Sequence, residues 1–219
     1  MNFNYSGRRP ATDLKTVLKT EIKEWHFHIY FHQTNAEERQ YALELRDAIL
    51  CLRRDGAFVA VPLFRVNEVP MGPHPVGSYE VWVPSETFAS VYSYLCMNRG
   101  PLSILVHPIT REERMKVLFC LMPADVVSDH DSRSSWIGPP FPLDLTKLPI
   151  LTVTVPLQYP SLSTTRVDPV LSPTLNISLE VGYSSNNPYM SLEDRAALGA
   201  NVEKMLLKEK DAARAPMAS

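Results

Sequence analysis

Cysteine is scarce in this chain. Cys51, Cys96 and Cys120 are its three cysteines, and none stands in CxxC spacing, so the sequence carries no disulfide framework. Two of them fall in predicted helices and read as buried thiols of a reducing, cytoplasmic compartment, where ferrous ion survives. Charge of one sign is lacking too. Lysine and arginine number 22 against 24 acidic residues, and no basic run interleaves with aromatics, which argues against a nucleic-acid partner. Long apolar runs are absent. The longest, Val117 to Met122, is far short of the roughly 20 residues that cross a bilayer, and Met1 to Lys19 has no apolar signal core. No membrane segment is expected. The 45% apolar and 21% charged composition is that of an ordinary globular domain.

What is present is histidine in a pattern. The run Glu24-Trp25-His26-Phe27-His28-Ile29-Tyr30-Phe31 alternates polar and apolar side chains. On a strand it places His26, His28, Tyr30 and His32 on one face and Trp25, Phe27, Ile29 and Phe31 on the other. Further histidines stand at 74, 107 and 130. Imidazole is the commonest ligand for iron, zinc and copper and changes charge near neutral pH.

The spacing predicts a helix from Asn35 to Arg54, capped by Asn35 with Glu38 and stopped at Gly56. A strand over 57–66 follows, then the stiff link Val69-Pro70-Met71-Gly72-Pro73-His74-Pro75 and a strand from Ser78 to Val83. A second helix opens at Ser85 and ends at Asn98-Arg99-Gly100, before a strand from Leu102 to His107. This order predicts an α+β fold, a ferredoxin-like split βαβ sandwich. The first and third strands are expected side by side and parallel in the centre, with the fourth antiparallel beside the first and helices on one face only. The open face suits a partner subunit, a tail or a ligand, which leaves a homodimer open. Past Pro108 the prolines break the pattern into a Pro-rich C-terminal extension of loops and short strands, partly laid over the open face. Ser191 with Asp194 then caps a terminal helix to about Lys210. The expected division is a flexible N-terminus (1–20), a domain (21–155) and an extension with the C-terminal helix (156–219).

Parity brings the histidines together. With Trp25, Phe27 and Ile29 facing the helices, His26 and His28 share the open face with Glu80 and His107. His74 is expected on its rigid link from the end at which the first strand starts. Two of these histidines with a third, or with Glu80 as alternative third ligand, would form a facial metal set with open positions. The plainer readings stand beside this: His26 and His32 as hydrogen-bonded or surface side chains, and Glu80 as a solvated carboxylate. Spacing does not choose between iron and zinc.

The segments Trp25 to Phe31, Val61 to Val66, Gly72 to Val81, Asn98-Arg99-Gly100, Leu102 to Pro108, Asp129-His130 and Trp136-Ile137-Gly138 resemble, in order, the fungal-type DOPA 4,5-dioxygenase family. The resemblance implies a ferredoxin-like fold, Fe(II) as cofactor, and extradiol cleavage of a catechol by dioxygen. L-DOPA would open between carbons 4 and 5 to seco-DOPA, a precursor of betalamic acid-type pigments. It maps the family's histidines onto His28, His74, His107 and His130. His28, His74 and His107 would be metal ligands, with Glu80 the alternative third. His130, or after it His26, would be the catalytic acid/base. Arg65, in an otherwise apolar strand, is the candidate partner of the substrate carboxylate, and Trp82 or Tyr79 would either line the ring pocket or belong to the core. Relative to the family pattern, Arg114 to Ser128 and about 163–178 look inserted, as lineage-specific loops or translated introns, and the first insert would displace His130. Two other readings remain: ring cleavage of a different catechol, and a dimeric ferredoxin-like binding module without chemistry.

Overall fold

The alternation of Trp25 to Phe31 does form a strand, and that strand is the middle of the sheet. In the computed structural model, which describes residues 22–111, 129–152, 158–159, 162 and 192–216, the sheet has five strands. They are β1 (Glu24–Phe31), β2 (Val61–Pro62), β3 (Gly77–Pro84), β4 (Ser103–Pro108) and β5 (Ser135–Ile137), in the order β2-β3-β1-β4-β5. Every pair is antiparallel. The helices are α1 (Ala36–Arg54), α2 (Phe88–Asn98, entered through a 3-10 turn at Ser85–Thr87) and α3 (Leu192–Leu206). The expected N-terminal segment 1–20, both inserted segments and the Ser191 cap lie outside the described residues.

The strand neighbours are those expected, but one direction is not. β1 and β3 run antiparallel, with His28 opposite Glu80 and Phe31 opposite Gly77. The reason is connectivity: the helical crossover α1 sends β2 along the direction of β1, and the return into β3 reverses it. The expected second strand over 57–66 contracts to two residues. Beyond Pro62 the pairing with β3 becomes intermittent, through Leu63 to Glu80 and Asn67 to Ser78, while Leu63 also bridges to Ala212 on its other side.

α1 begins where expected because Asn35 accepts a hydrogen bond from the Glu38 amide at 3.2 Å, satisfying one of the free first-turn donors. α2 ends at a turn through Gly100, whose φ of +54° is left-handed. Between sheet and helices lies the main core, with Phe27, Ile29, Phe31, Tyr79, Val81, Val83, Ile104 and Val106 all buried. A second cluster forms on the opposite sheet face. There Trp82 meets Tyr159, Leu162, Val202 and Leu206, so α3 and the tail after it cover part of the face that was expected to be open. α3 stops four residues short of Lys210, in turns closed by i−3 hydrogen bonds from Lys208 and Glu209. Trp82 and Tyr79 are core residues, not pocket walls: the Trp82 indole donates to Glu24 at 2.9 Å and the Tyr79 hydroxyl to the Ala42 carbonyl at 3.0 Å. Cys51 is half-buried and Cys96 exposed, so the expectation of buried thiols fails for both. Among the described residues no helix is long and apolar enough to cross a membrane.

Candidate metal centre

Register decides which imidazoles meet. His26 stands opposite His107 across the β1–β4 ladder, and His28 is on the same face one pleat further along. The ligand atoms of His26, His28 and His107 all lie within 4.8 Å of one another. His28 and His107 are buried to 4% and 3% exposure, their rings stacked at 5.1 Å with Nε2 to Nε2 at 3.0 Å. His107 Nδ1 donates to the Pro108 carbonyl at 2.8 Å, which leaves its Nε2 lone pair turned inward toward His28. That arrangement, one ring nitrogen anchored to a carbonyl and the other free, is the one metal-binding histidines adopt.

Two more imidazoles close the ring. His74 lies 4.4 Å from His28 between ring centroids, with its Nδ1 and the Tyr30 hydroxyl 2.7 Å apart. Because β3 is antiparallel to β1, the link carrying His74 arrives from the C-terminal end of β1, the end opposite to that expected, and reaches His28 from there. The His130 ring lies tilted against His107, centroids 3.8 Å apart. Its turn is tied to the exit of β4 by Asp129, which accepts hydrogen bonds from the Thr110 amide and hydroxyl and from Arg133. His130 is therefore not displaced by the segment before it. His32 is elsewhere, exposed and bonded to Glu38 at 2.9 Å. Glu80 lies 3.3 Å from His26, beside the imidazole set.

Burial pushes the His28 and His107 imidazoles well below their ordinary range, the neighbouring imidazoles adding to the effect. Burial likewise holds His74 down at about 4. All three are neutral at physiological pH, the form that binds a metal. The donor set, neutral nitrogens on rigid strands with a cavity beside them, fits a borderline cation such as ferrous iron or zinc.

The cavity is about 610 Å³, a normal size for a small-molecule site. Phe64, Pro73, Pro108 and Leu148 give it apolar walls, and Arg65, Asp129, Gln158 and Asp211 add polar groups. Sequence reasoning missed Gln158 and Asp211. Gln158 accepts from His26 Nε2 at 2.7 Å, fixing that ring. Both residues sit in the C-terminal extension, where no periodicity points back to the sheet.

The sequence profile of the Dopa 4,5-dioxygenase family matches residues 25–147, which include β1 to β5 and the five clustered histidines. A DOPA 4,5-dioxygenase of Amanita muscaria is 62% identical over 208 residues, covering 95% of this chain and 78% of that protein. An uncharacterized 21.2 kDa protein of Botryotinia fuckeliana is 41% identical over 121 residues, 54% of this chain and 60% of its own length. A crystal structure from Nostoc punctiforme, described as a candidate dioxygenase, is 34% identical and covers 57% of this chain and 90% of that one, with a TM-score of 0.42. Matched over more than half its length by the family profile, and by a relative of 62% identity over nearly all of it, the chain belongs to the Dopa 4,5-dioxygenase family.

Proposed function

We propose that this protein opens the ring of L-DOPA between carbons 4 and 5 with dioxygen, both oxygen atoms entering the product, as an extradiol enzyme using non-haem ferrous iron in the cytoplasm. The observation that carries the reading is the convergence of His26, His28 and His107 within 4.8 Å beside a cavity of substrate size. The fold supports it as a ferredoxin-like split βαβ unit whose open face holds the site. When bound, iron would supply Lewis-acid activation of the catechol hydroxyls and the electron-transfer chemistry that dioxygen requires.

His28 and His107 would hold the ion, with His26 as the third ligand through Nδ1, since its Nε2 donates to Gln158. His74, the third ligand expected from sequence, is the alternative. Its link to Tyr30 through Nδ1 leaves Nε2 for that role. His130 lines the cavity against His107, where a ring nitrogen can accept a catechol hydroxyl proton and later return it to the departing oxygen. The apolar walls would hold the ring in place and limit water. Arg65 would receive the substrate carboxylate.

The test is aerobic incubation of iron-loaded protein with L-DOPA, followed by absorbance for a yellow ring-opened product. His107→Ala should abolish the colour, and its absence from properly loaded wild-type protein would remove the proposal.

A further inference from the structure

Two charged side chains at the mouth of the cavity take no part in the chemistry of the ring: Arg65, just past β2, and Asp211, on the tail after α3. Both are exposed and both line the cavity. Neither makes a side-chain hydrogen bond or an ion pair among the described residues. The segments that carry them are nevertheless held together, with Phe64 opposite Asp211. The tail runs antiparallel to 62–64: the Phe64 amide donates to the Asp211 carbonyl at 3.0 Å, the Ala213 amide to the Pro62 carbonyl at 3.3 Å, and Leu63 bridges to Ala212.

Arginines of α1 fix both segments. Arg46 donates to the carbonyls of Leu63 and Phe64 at 2.9 and 3.0 Å. Arg53, fully buried, donates to the Ala213 carbonyl at 3.0 Å and pairs with Glu203. A cation and an anion thus line one cavity on paired, fixed segments without being joined to each other. The other carboxylates of this cavity wall are engaged, Glu80 by His26 and Asp129 by Thr110 and Arg133.

A free α-amino acid carries a carboxylate and an ammonium on one carbon. A guanidinium receives the first through its planar fork, and a carboxylate receives the second as a compact charge. We propose that Arg65 and Asp211 form a clamp for the α-carboxylate and α-ammonium of the substrate, making the enzyme selective for free catecholic amino acids. The clamp rests on the ring-opening reading above and adds that the C-terminal tail, outside the segment 25–147 that the family profile matches, determines specificity.

The test compares L-DOPA with 3-(3,4-dihydroxyphenyl)propanoate, which lacks the ammonium, and dopamine, which lacks the carboxylate. Binding to iron-loaded protein is measured first by anaerobic equilibrium dialysis, then kcat and KM in air. L-DOPA should bind about tenfold tighter than either analogue, the scale of one charge-assisted hydrogen bond. Asp211→Asn should weaken L-DOPA and dopamine about tenfold, in KM rather than kcat, and spare the propanoate. Arg65→Gln should weaken L-DOPA and the propanoate and spare dopamine. Equal losses for all three ligands, no loss for any, or no binding by the wild type would overturn the clamp. Charge-selective binding without ring opening would uphold it and remove the ring-opening reading instead; ring opening without charge selectivity would do the reverse.

Discussion

His28 and His107 point nitrogen at nitrogen across 3.0 Å, so one donates and the other accepts. A cation bound by both Nε2 atoms moves the shared proton to the other nitrogen of the His28 ring, which stays neutral. Because both imidazoles are already neutral, loading the apoprotein with ferrous ion in weak buffer should leave the pH nearly unchanged, read by an indicator dye; release of about one proton per ion would contradict this account of the pair. His28→Ala and His107→Ala should each lose stoichiometric iron, while of His26→Ala and His74→Ala only the first should, as measured by metal analysis after gel filtration. Glu24 offers a separate check. Burial raises its carboxyl above 4.5, against the hydrogen bond from Trp82. An acid raised by folding adds most stability while protonated and loses it as pH climbs through the folded value. Glu24→Gln should therefore gain on wild type in thermal melts as pH rises above about 4.5, with no gain at lower pH. The histidines were legible because a strand's period of two assigns faces without reference to anything distant. Gln158 and Asp211 were not, because their place is set by tertiary packing of a segment with no period of its own.

At the scale of elements, α1, α2, β1, β3 and β4 follow from apolar periodicity and capping alone. The length of β2 does not, since only Val61 and Pro62 of its strand-forming run stay laddered to β3 and the next residue, Leu63, bridges to Ala212, some 150 residues away in the chain. The direction of β3 could have been had from connectivity, as a crossover followed by a return. What holds α3 to α1 is visible only in the packing. Gly199 sits against the Arg54 carbonyl, where a side chain has no room. Gly199→Ala should push the helices apart and cost about 1–3 kcal/mol in urea unfolding. Arg53, whose side chain is wholly buried beside Glu203, makes a second point of attachment. Glu203→Ala leaves a buried cation with only the Ala213 carbonyl and should cost about 3 kcal/mol on the same measurement. Both variants loosen the tail that carries Asp211, so KM for L-DOPA should rise in each even where folding is retained.

For the whole molecule, the buried imidazoles set the response to acid. Bases whose folded values are depressed contribute stability that is complete above about 6.5 and lost as pH falls. His74, held at about 4, places the main loss between about pH 6.5 and 4, with His28 and His107 extending it downward. The melting temperature of the apoprotein should fall across that window, and bound metal should delay the fall. β1 meanwhile lies between β3 and β4, paired along both edges over nearly its full length. No local fraying frees this strand: its amides open only when the entire sheet comes apart. Hydrogen exchange at Phe27 to Ile29 should be the slowest among the described residues, and the spacing of His26 and His28 should persist until global unfolding, while an ion enters and leaves through the cavity beside them.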